Sequence, residues 1–490
     1  MSNSRGRGLQ GGALGLFDTV VMAVAGSAPA YSLAATTAVL VSVVGVASPA
    51  ALLYCAIPMI GIALAFGHLG RIDVNAGAGY SWVGRTLHPF LGFISGWALV
   101  VSATIFMLAG SLPAGAMTLA LFDEDLAGGT GAATAVGALW FLVMLAVVLG
   151  GARLTVRAQL LMSGVELIIL VLFVGLALLR SDSARPFDWS WLGFGHFDGV
   201  SGFASGALVA AFCYWGWDVT GNLSEETRES RRTTGRAALI GIAIVFLLYE
   251  AFVIAVNMIL TPRQIQESGA DVLAVLGEEI WPGWGGRLLM LAVMLSTVAT
   301  LEATLIQVTR SLFAMGRDRT MPSALGRMHR RWNTPWVAIT VVGTVALAMF
   351  LAANALGSVG DILAEAIRAM GLQIAVYYGL AGIAVVVAYR GVLLSSPKRF
   401  LLGGVWPLFG SLFMFLIFVE SLGEMSGASI AIGVGGLAVG LVPMFWYRRR
   451  GSDYYRPARL DAARVIATEY VPDRRAAEAA RVHEGLPTDF

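Results

Sequence analysis

The sequence predicts an all-α polytopic membrane protein with twelve transmembrane helices, and three observations carry that expectation. The 490 residues are 57% hydrophobic and only 13% charged, with a mean hydropathy of +0.75, whereas a soluble domain holds about a quarter charged residues. The apolar residues fall in runs long enough to span a bilayer, for which a helix needs roughly 20 of them. Arginines collect in every second connection between those runs, the bias that orients membrane helices.

The runs lie at 16–45, 49–69, 89–120, 133–150, 158–179, 202–223, 236–260, 286–313, 336–354, 361–389, 401–421 and 427–447. The first is long because Gly26-Ser27-Ala28-Pro29-Ala30 interrupts it; proline lacks an amide proton and disfavours helix in the residue before it. Arg5, Arg7 and the small residues Ala28-Pro29-Ala30 imitate a cleavable leader, but the apolar run resumes at once, so the segment is read as a span. The third run exceeds what an upright helix needs and predicts tilt. The sixth is interrupted at Cys213-Tyr214-Trp215-Gly216-Trp217-Asp218.

One set of connections carries Arg71 and Arg85, Arg153 and Arg157, Arg228 to Arg236, Arg317 to Arg331, Arg390 to Arg399, and Arg448 to Arg450. The other holds Arg180, Arg185, Arg263, Arg287 and an acidic Asp123-Glu124-Asp125. This asymmetry places both termini in the cytoplasm and the protein in the cytoplasmic membrane. The segment 1–14 is then a short cytoplasmic lead. The polar, arginine-rich 451–490 is a cytoplasmic tail, solvated near anionic lipid.

Several function classes drop out. A net charge of +2 suggests no nucleic-acid partner. Cys55 and Cys213 lie in apolar runs and read as small hydrophobes, not as a disulfide or metal pair. The histidines, His68, His88, His196, His329 and His483, are scattered, and no zinc-protease, nucleophile-elbow or phosphate-loop pattern is present. No enzyme, cofactor or metal is expected. A nutrient sensor would call for a receptor-like domain, which the tail is not.

The two interruptions carry the functional expectation. Hydrocarbon tolerates irregular backbone only where it lines a cavity or packs in protein, and paired Gly/Pro interruptions in two halves point to a substrate site. Candidate substrate-binding residues are therefore Gly26, Ser27, Ala28 and Ala30 in the first break, and Tyr214, Trp215, Gly216, Trp217 and Asp218 in the second. The tryptophans and Tyr214 suit an apolar side chain or an ammonium group. Asp218 is an intramembrane carboxylate, costly by about 3 kcal/mol and so a functional candidate; the alternative is an acid that takes hydrogen bonds from freed amides.

Short motifs give the chain a family. Gly15-Leu16-Phe17-Asp18, the Gly-Ser-Ala-Pro-Ala break, Gly77-Ala78-Gly79-Tyr80-Ser81-Trp82 and Gly92-Phe93-Ile94-Ser95-Gly96-Trp97 occur in order. Trp215-Gly216-Trp217-Asp218, Asn222-Leu223-Ser224-Glu225-Glu226-Thr227 and Thr309 to Asp318 follow. With these, residues 12–450 resemble the amino acid–polyamine–organocation (APC) superfamily of permeases. The resemblance implies a LeuT-like five-plus-five inverted repeat with helices 1 and 6 broken: a first repeat at 15–180, a second at 202–390, and two appended helices at 400–447. It implies a substrate between the breaks, its carboxylate on the amides of the first. Ser27 and Ala28 offer amides but Pro29 does not, a departure from the glycine-rich family pattern that leaves room for an amine lacking a carboxylate.

Two further acids are candidate coupling residues. Glu166 lies nine residues after Arg157, and Glu302 eight before Arg310, so each sits roughly 12–14 Å from the cytoplasmic boundary. The resemblance places Glu166 where sodium-independent members often have lysine. Two carboxylates at one level in low dielectric disfavour double ionisation and would share a proton. The rival is a sodium ion with oxygens from Ser296, Thr297 or Thr300. Glu365 and Arg368, three apart, can pair on one helix face as a structural pair or an external gate. Glu250 has no evident partner. Glu225, Glu226, Arg228, Arg231 and Arg232 are expected as a solvated salt-bridge cluster near the inner gate. The sequence thus predicts a secondary transporter of amino acids or related amines coupled to protons, with substrate exchange or sodium symport as alternatives.

Overall fold

A computed structural model of the chain describes residues 8–122, 129–180, 185–353, 359–463 and 465, without the side chains of 353–365 and 424. Arg5 and Arg7, the acidic 123–125, the side chain of Glu365 and the tail beyond 465 lie outside the described residues.

Every apolar run falls on helix. The first gives α1 (Leu16–Gly26) and α2 (Pro29–Val44), followed by α3 (Ser48–Ile72), a short α4 (Gly79–Thr86) and α5 (Pro89–Ala120). Next come α6 (Thr130–Leu149), α7 (Ala152–Leu178), then α8 (Gly199–Cys213) and α9 (Val219–Asn222) from the interrupted sixth run. Beyond them run α10 (Ser230–Ile259), the short α11 (Pro262–Ser268) and α12 (Val272–Ile280), α13 (Gly285–Arg317), α14 (Trp336–Ala353) and α15 (Val359–Tyr389). The chain closes with α16 (Trp406–Glu424), α17 (Gly427–Val439) and α18 (Leu441–Arg449). Among the described residues nine helical stretches are long and apolar enough to cross a membrane, with Gly199–Cys213 and Trp336–Ala352 apolar but shorter. The protein is all-α and polytopic.

α13 lies at the centre. Its apolar window is 83% buried, against 33% for α6 and 22% for the last stretch, so α13 is wrapped by protein while the others show a broad apolar face outward. It packs along α5, α7, α1 and α2. The short α11 and α12 were not expected from hydropathy. α11 nevertheless announces itself: Thr261 caps it, Gln264 returns the bond to the Thr261 amide, and Pro262 opens it.

The arginine-rich connections gather at one end of the bundle, tied by buried bonds. Glu226, after α9, takes a two-pronged contact from Arg310 of α13 at 3.0 and 3.1 Å, with both side chains at most 1% exposed. Glu225 pairs with Arg317 at 2.9 Å and accepts the Ala76 amide. Asn222 donates to the Ala76 carbonyl and to Ser311. Arg85 pairs with Asp73 at 2.7 Å, and Leu14 bridges to the Glu226–Arg228 backbone. The expected solvated cluster is therefore corrected. Glu226 is an interior ion pair, and Arg228 and Arg231 turn instead to the carbonyls of Gly12 and Arg71. A continuous helix would have left these charges in water; the turn after α9 carries Glu226 inward.

The segment after α18 folds back onto this same end. Tyr454 stacks on Tyr80 with centroids 4.5 Å apart and donates to the Tyr80 carbonyl. The approach is possible because Gly84 and Gly92 face the Tyr454 hydroxyl, where any Cβ would collide with it. Ser452 donates to the Asp318 carbonyl, and Leu460 to that of Arg85.

Removing one partner of a buried ion pair strands the other, at a cost of about 3–5 kcal/mol. Arg310→Met is expected to lower apparent thermal stability strongly in detergent, and adding Glu226→Gln should recover much of the loss. Equal stability of the single and double variants would refute the pairing.

Candidate functional site

The first break follows from its sequence. Pro29 starts α2 and pushes Ala28 into the left-handed region, φ 50° and ψ 61°. The amides of Ser27 and Ala28 do not face outward as expected from sequence. Ser27 donates to the Ala23 and Val24 carbonyls and Ala28 to that of Ala25, completing α1. The freed amides are one turn on: Ala30 donates to Glu166 Oε1 at 2.9 Å, and Tyr31 to Ser296 Oγ at 3.2 Å. The freed carbonyls are held too. Ala25 accepts from Thr300 at 2.8 Å, and Ser27 from Tyr249 at 2.8 Å and Ser32 at 3.0 Å. A chain interruption inside a membrane is thus closed by side chains from α7, α10 and α13, as a bilayer interior demands.

The second break is made by Gly216, whose φ of +97° suits glycine alone among common residues. Gly216 lies directly on Gly26: a Cβ on either would run into the other's backbone. The two breaks therefore touch main chain to main chain, and Cys213 adds a contact to Thr36 of α2 at 3.2 Å.

The residues of the second break part in two directions. Trp215 crosses Phe106 of α5 edge to face at 5.6 Å, and Phe106 meets Tyr31 of α2 at 6.1 Å. In this group the Trp215 Nε1 and the Tyr31 hydroxyl are buried without a hydrogen bond, so two polar groups await a partner on an apolar wall. Trp217 points toward the arginine-rich end, stacked on Tyr378 at 5.5 Å and against Phe66 at 5.3 Å, with Trp82 and Tyr377 on the far side of Phe66. Tyr214 reaches the Leu52 carbonyl. Asp218, 0% exposed, accepts Tyr378 at 2.7 Å on one oxygen and Gln307 on the other. Both its oxygens are occupied by side chains of α15 and α13, and its own backbone amide, at the break, adds to them.

Glu166 and Glu302 meet different neighbours along α13. Glu166 meets Ala30 and stands by Ser296. Glu302 stands beside Thr155 and Gln159, without a formed hydrogen bond to either. Ser296 and Glu302 are six residues apart on one helix, about 9 Å of rise. Counting from the arginine-rich ends ignored that α7 and α13 start their turns at different heights. Of the hydroxyls offered to a sodium ion, Ser296 accepts the Tyr31 amide, Thr300 lies within donating distance of the Ala25 and Ser296 carbonyls, and Thr297 donates to the Val293 carbonyl; the donating hydroxyls keep lone pairs on their oxygens. No group of three or more His, Cys, Asp or Glu residues that would hold a metal occurs among the described residues. Arg368 is exposed, while its expected partner Glu365 falls outside the described side chains.

Sequence reasoning missed Tyr31, Phe106, Tyr249, Gln307 and Tyr378. Each is an ordinary residue of an apolar run, and nothing local marks it. Tyr31, two residues past Pro29, was the only one within reach of the break motif.

A family profile described as amino acid permease matches residues 14–442. An uncharacterized transporter of Mycobacterium tuberculosis is 26% identical over 90% of this chain and 93% of its own length. A low-affinity putrescine importer of Escherichia coli is 27% identical over 61% of this chain and 66% of its own length. A serine/threonine exchanger of Bacillus subtilis is 24% identical over 77% and 84%.

Two substitutions separate the walls of the site. Trp215→Ala removes an edge of the Tyr31–Phe106 group and is expected to raise the KM for transport. Trp217→Ala opens the packing toward the arginine-rich end and is expected to lower the maximal rate. The reverse pattern in initial-rate kinetics would overturn the assignment. Gly216→Ala, which forces a left-handed alanine against Gly26, should destabilise by about 1–3 kcal/mol and abolish transport.

Proposed function

The chain belongs to the amino acid permease family of the APC superfamily, and on that premise we propose that it is a secondary active transporter carrying amino acids or related amines through the cytoplasmic membrane together with protons. Family membership makes it a multi-pass membrane transporter; the substrate, the coupling and the site are our reading. The observation that supports it best is the meeting of two broken helices, Gly26 on Gly216, in the buried middle of the bundle. A broken helix has a hinge at membrane depth, where a small polar molecule can be held.

In this reading a substrate enters by parting the two breaks. Tyr31, Phe106 and Trp215 receive its side chain or its ammonium group, the latter by cation–π attraction. Gly26, Ser27, Ala28 and Ala30 form the opposite wall, with Tyr214 and Gly216 at the seam. Trp217 and Asp218 form the floor, beneath which Glu226–Arg310 and Glu225–Arg317 seal the arginine-rich end. That end faces the cytoplasm, with both termini, because positive charge stays inside. The repeats 15–180 and 202–390 rock against each other, and 400–447 stays with α15, against which α16 and α17 pack. Glu365 and Arg368 belong to the opposite gate. Glu166 couples protonation to the hinge, since it holds the Ala30 amide.

Proteoliposomes test the coupling. Uptake of labelled serine or putrescine, the compounds named in the relatives, should follow an inward proton gradient and ignore replacement of sodium by potassium. A strict sodium requirement would sink the proton reading. Uptake only into vesicles preloaded with substrate would replace it by exchange.

A further inference from the structure

Five of the buried side-chain oxygens without a hydrogen bond fall on one seam between α7 and α13: Gln159 Oε1, Ser163 Oγ, Glu166 Oε2 and both oxygens of Glu302. The four residues are at most 2% exposed. Buried polar groups in native proteins find partners, in protein or in ordered water, and an unpaired buried carboxylate costs several kcal/mol. Orphans collected along one line therefore mark a path for water or protons, whereas orphans scattered through a core would mark only loose packing.

The register supports a line. α7 and α13 pair antiparallel: Glu166 stands by Ser296, Gln159 donates to the Ala299 carbonyl, and Thr155 and Gln159 stand by Glu302. Positions 155, 159, 163 and 166 recur at four, four and three residues, which puts them on one face of α7. Gln159 to Ser163 is about 6 Å of rise and Ser163 to Glu166 about 4.5 Å, gaps that one bridging water closes. At the far end Glu166 holds the hinge amide of Ala30.

We propose that this seam is a proton relay, running from Glu302 past Gln159 and Ser163 to Glu166 at the first break. It rests on the transport reading above and specifies the route of its coupling proton. Glu302 releases its carboxyl proton to a water, which passes one to Ser163 Oγ; the Ser163 hydroxyl proton goes to a second water, which passes one to Glu166 Oε2. Glu302 is left as the carboxylate and Glu166 becomes the acid; one proton has moved and no other bond has changed. Gln159 is a positioning residue: its Nε2 donates to the Ala299 carbonyl, and its side chain stands beside Glu302.

Few ionisable groups compete. The helices α5, α6 and α14 contain none, and α1 has only Asp18, at its start. Tyr31 of α2 and Tyr249 of α10 stand toward the break; Glu250 of α10 faces Tyr214. Arg310 of α13 is paired with Glu226, Arg153 and Arg157 of α7 are exposed, and Glu278 and Glu279 of α12 lie toward the other end.

Ser163→Ala and Gln159→Leu, in proteoliposomes, test the route. Proton-driven accumulation of serine or putrescine should be lost in both, while counterflow of the same label, which moves no net proton, stays at the wild-type rate. Infrared spectra of the purified protein supply an arm that needs no substrate. A carboxylic-acid band that disappears in Glu302→Gln should shift in Gln159→Leu. Full proton-driven accumulation in Ser163→Ala, or absence of a Glu302 acid band, would overturn the relay. A wild type that transports but ignores the proton gradient refutes the coupling reading and the relay together. A wild type that moves neither compound bears on the substrate assignment alone, and the infrared arm then decides the relay. A sodium-dependent change of the Glu302 band would reassign the seam to a cation and count against it.

Discussion

The constraint on which the rest of this structure depends is that a main chain broken inside a membrane must find partners for the groups it frees. Pro29 creates the first break, and the cost of leaving Ala25, Ser27, Ala30 and Tyr31 unsatisfied is met by Thr300, Tyr249, Ser32, Glu166 and Ser296. Those partners come from α2 itself and from α7, α10 and α13. The break is thereby what fixes three long helices around the hinge, and their polar residues sit at the positions the hinge requires.

This arrangement has a consequence for motion. Each bond to the hinge is a single side chain reaching a single backbone atom, so it can be exchanged for another donor or acceptor at little net cost. The Gly26–Gly216 contact has no side chain to lock it. The arginine-rich end is built differently, from an interior ion pair, a second pair at its margin, a returning chain segment and an aromatic layer around Phe66. The centre is held by replaceable bonds and that end by a layered closure.

Asp218 illustrates how burial changes a residue's meaning. From sequence it was an intramembrane carboxylate, a functional candidate with hydrogen bonding to freed amides as the alternative. Its two oxygens join α15 to α13 through Tyr378 and Gln307, so it braces two helices, and a further donor would have to share an oxygen with one of them. Glu166, placed from sequence by its depth and by the family resemblance, holds the hinge amide of Ala30.

The sequence by itself determined the helices, their apolar faces, the two interruptions and the membership in a permease family, because hydropathy, proline and glycine act locally and are written along one dimension. It located both breaks to the residue and singled out Glu166, Glu302 and Asp218 as intramembrane acids, which the structure buries. Only the tertiary structure decided which amides the break frees, that Trp215 and Trp217 face opposite ways, that Glu226 is buried on Arg310, and that Glu166 and Glu302 stand at different levels. Those outcomes turn on partners 84 to 275 residues away along the chain, whose height and rotation are set by helix packing, and no local pattern carries that information.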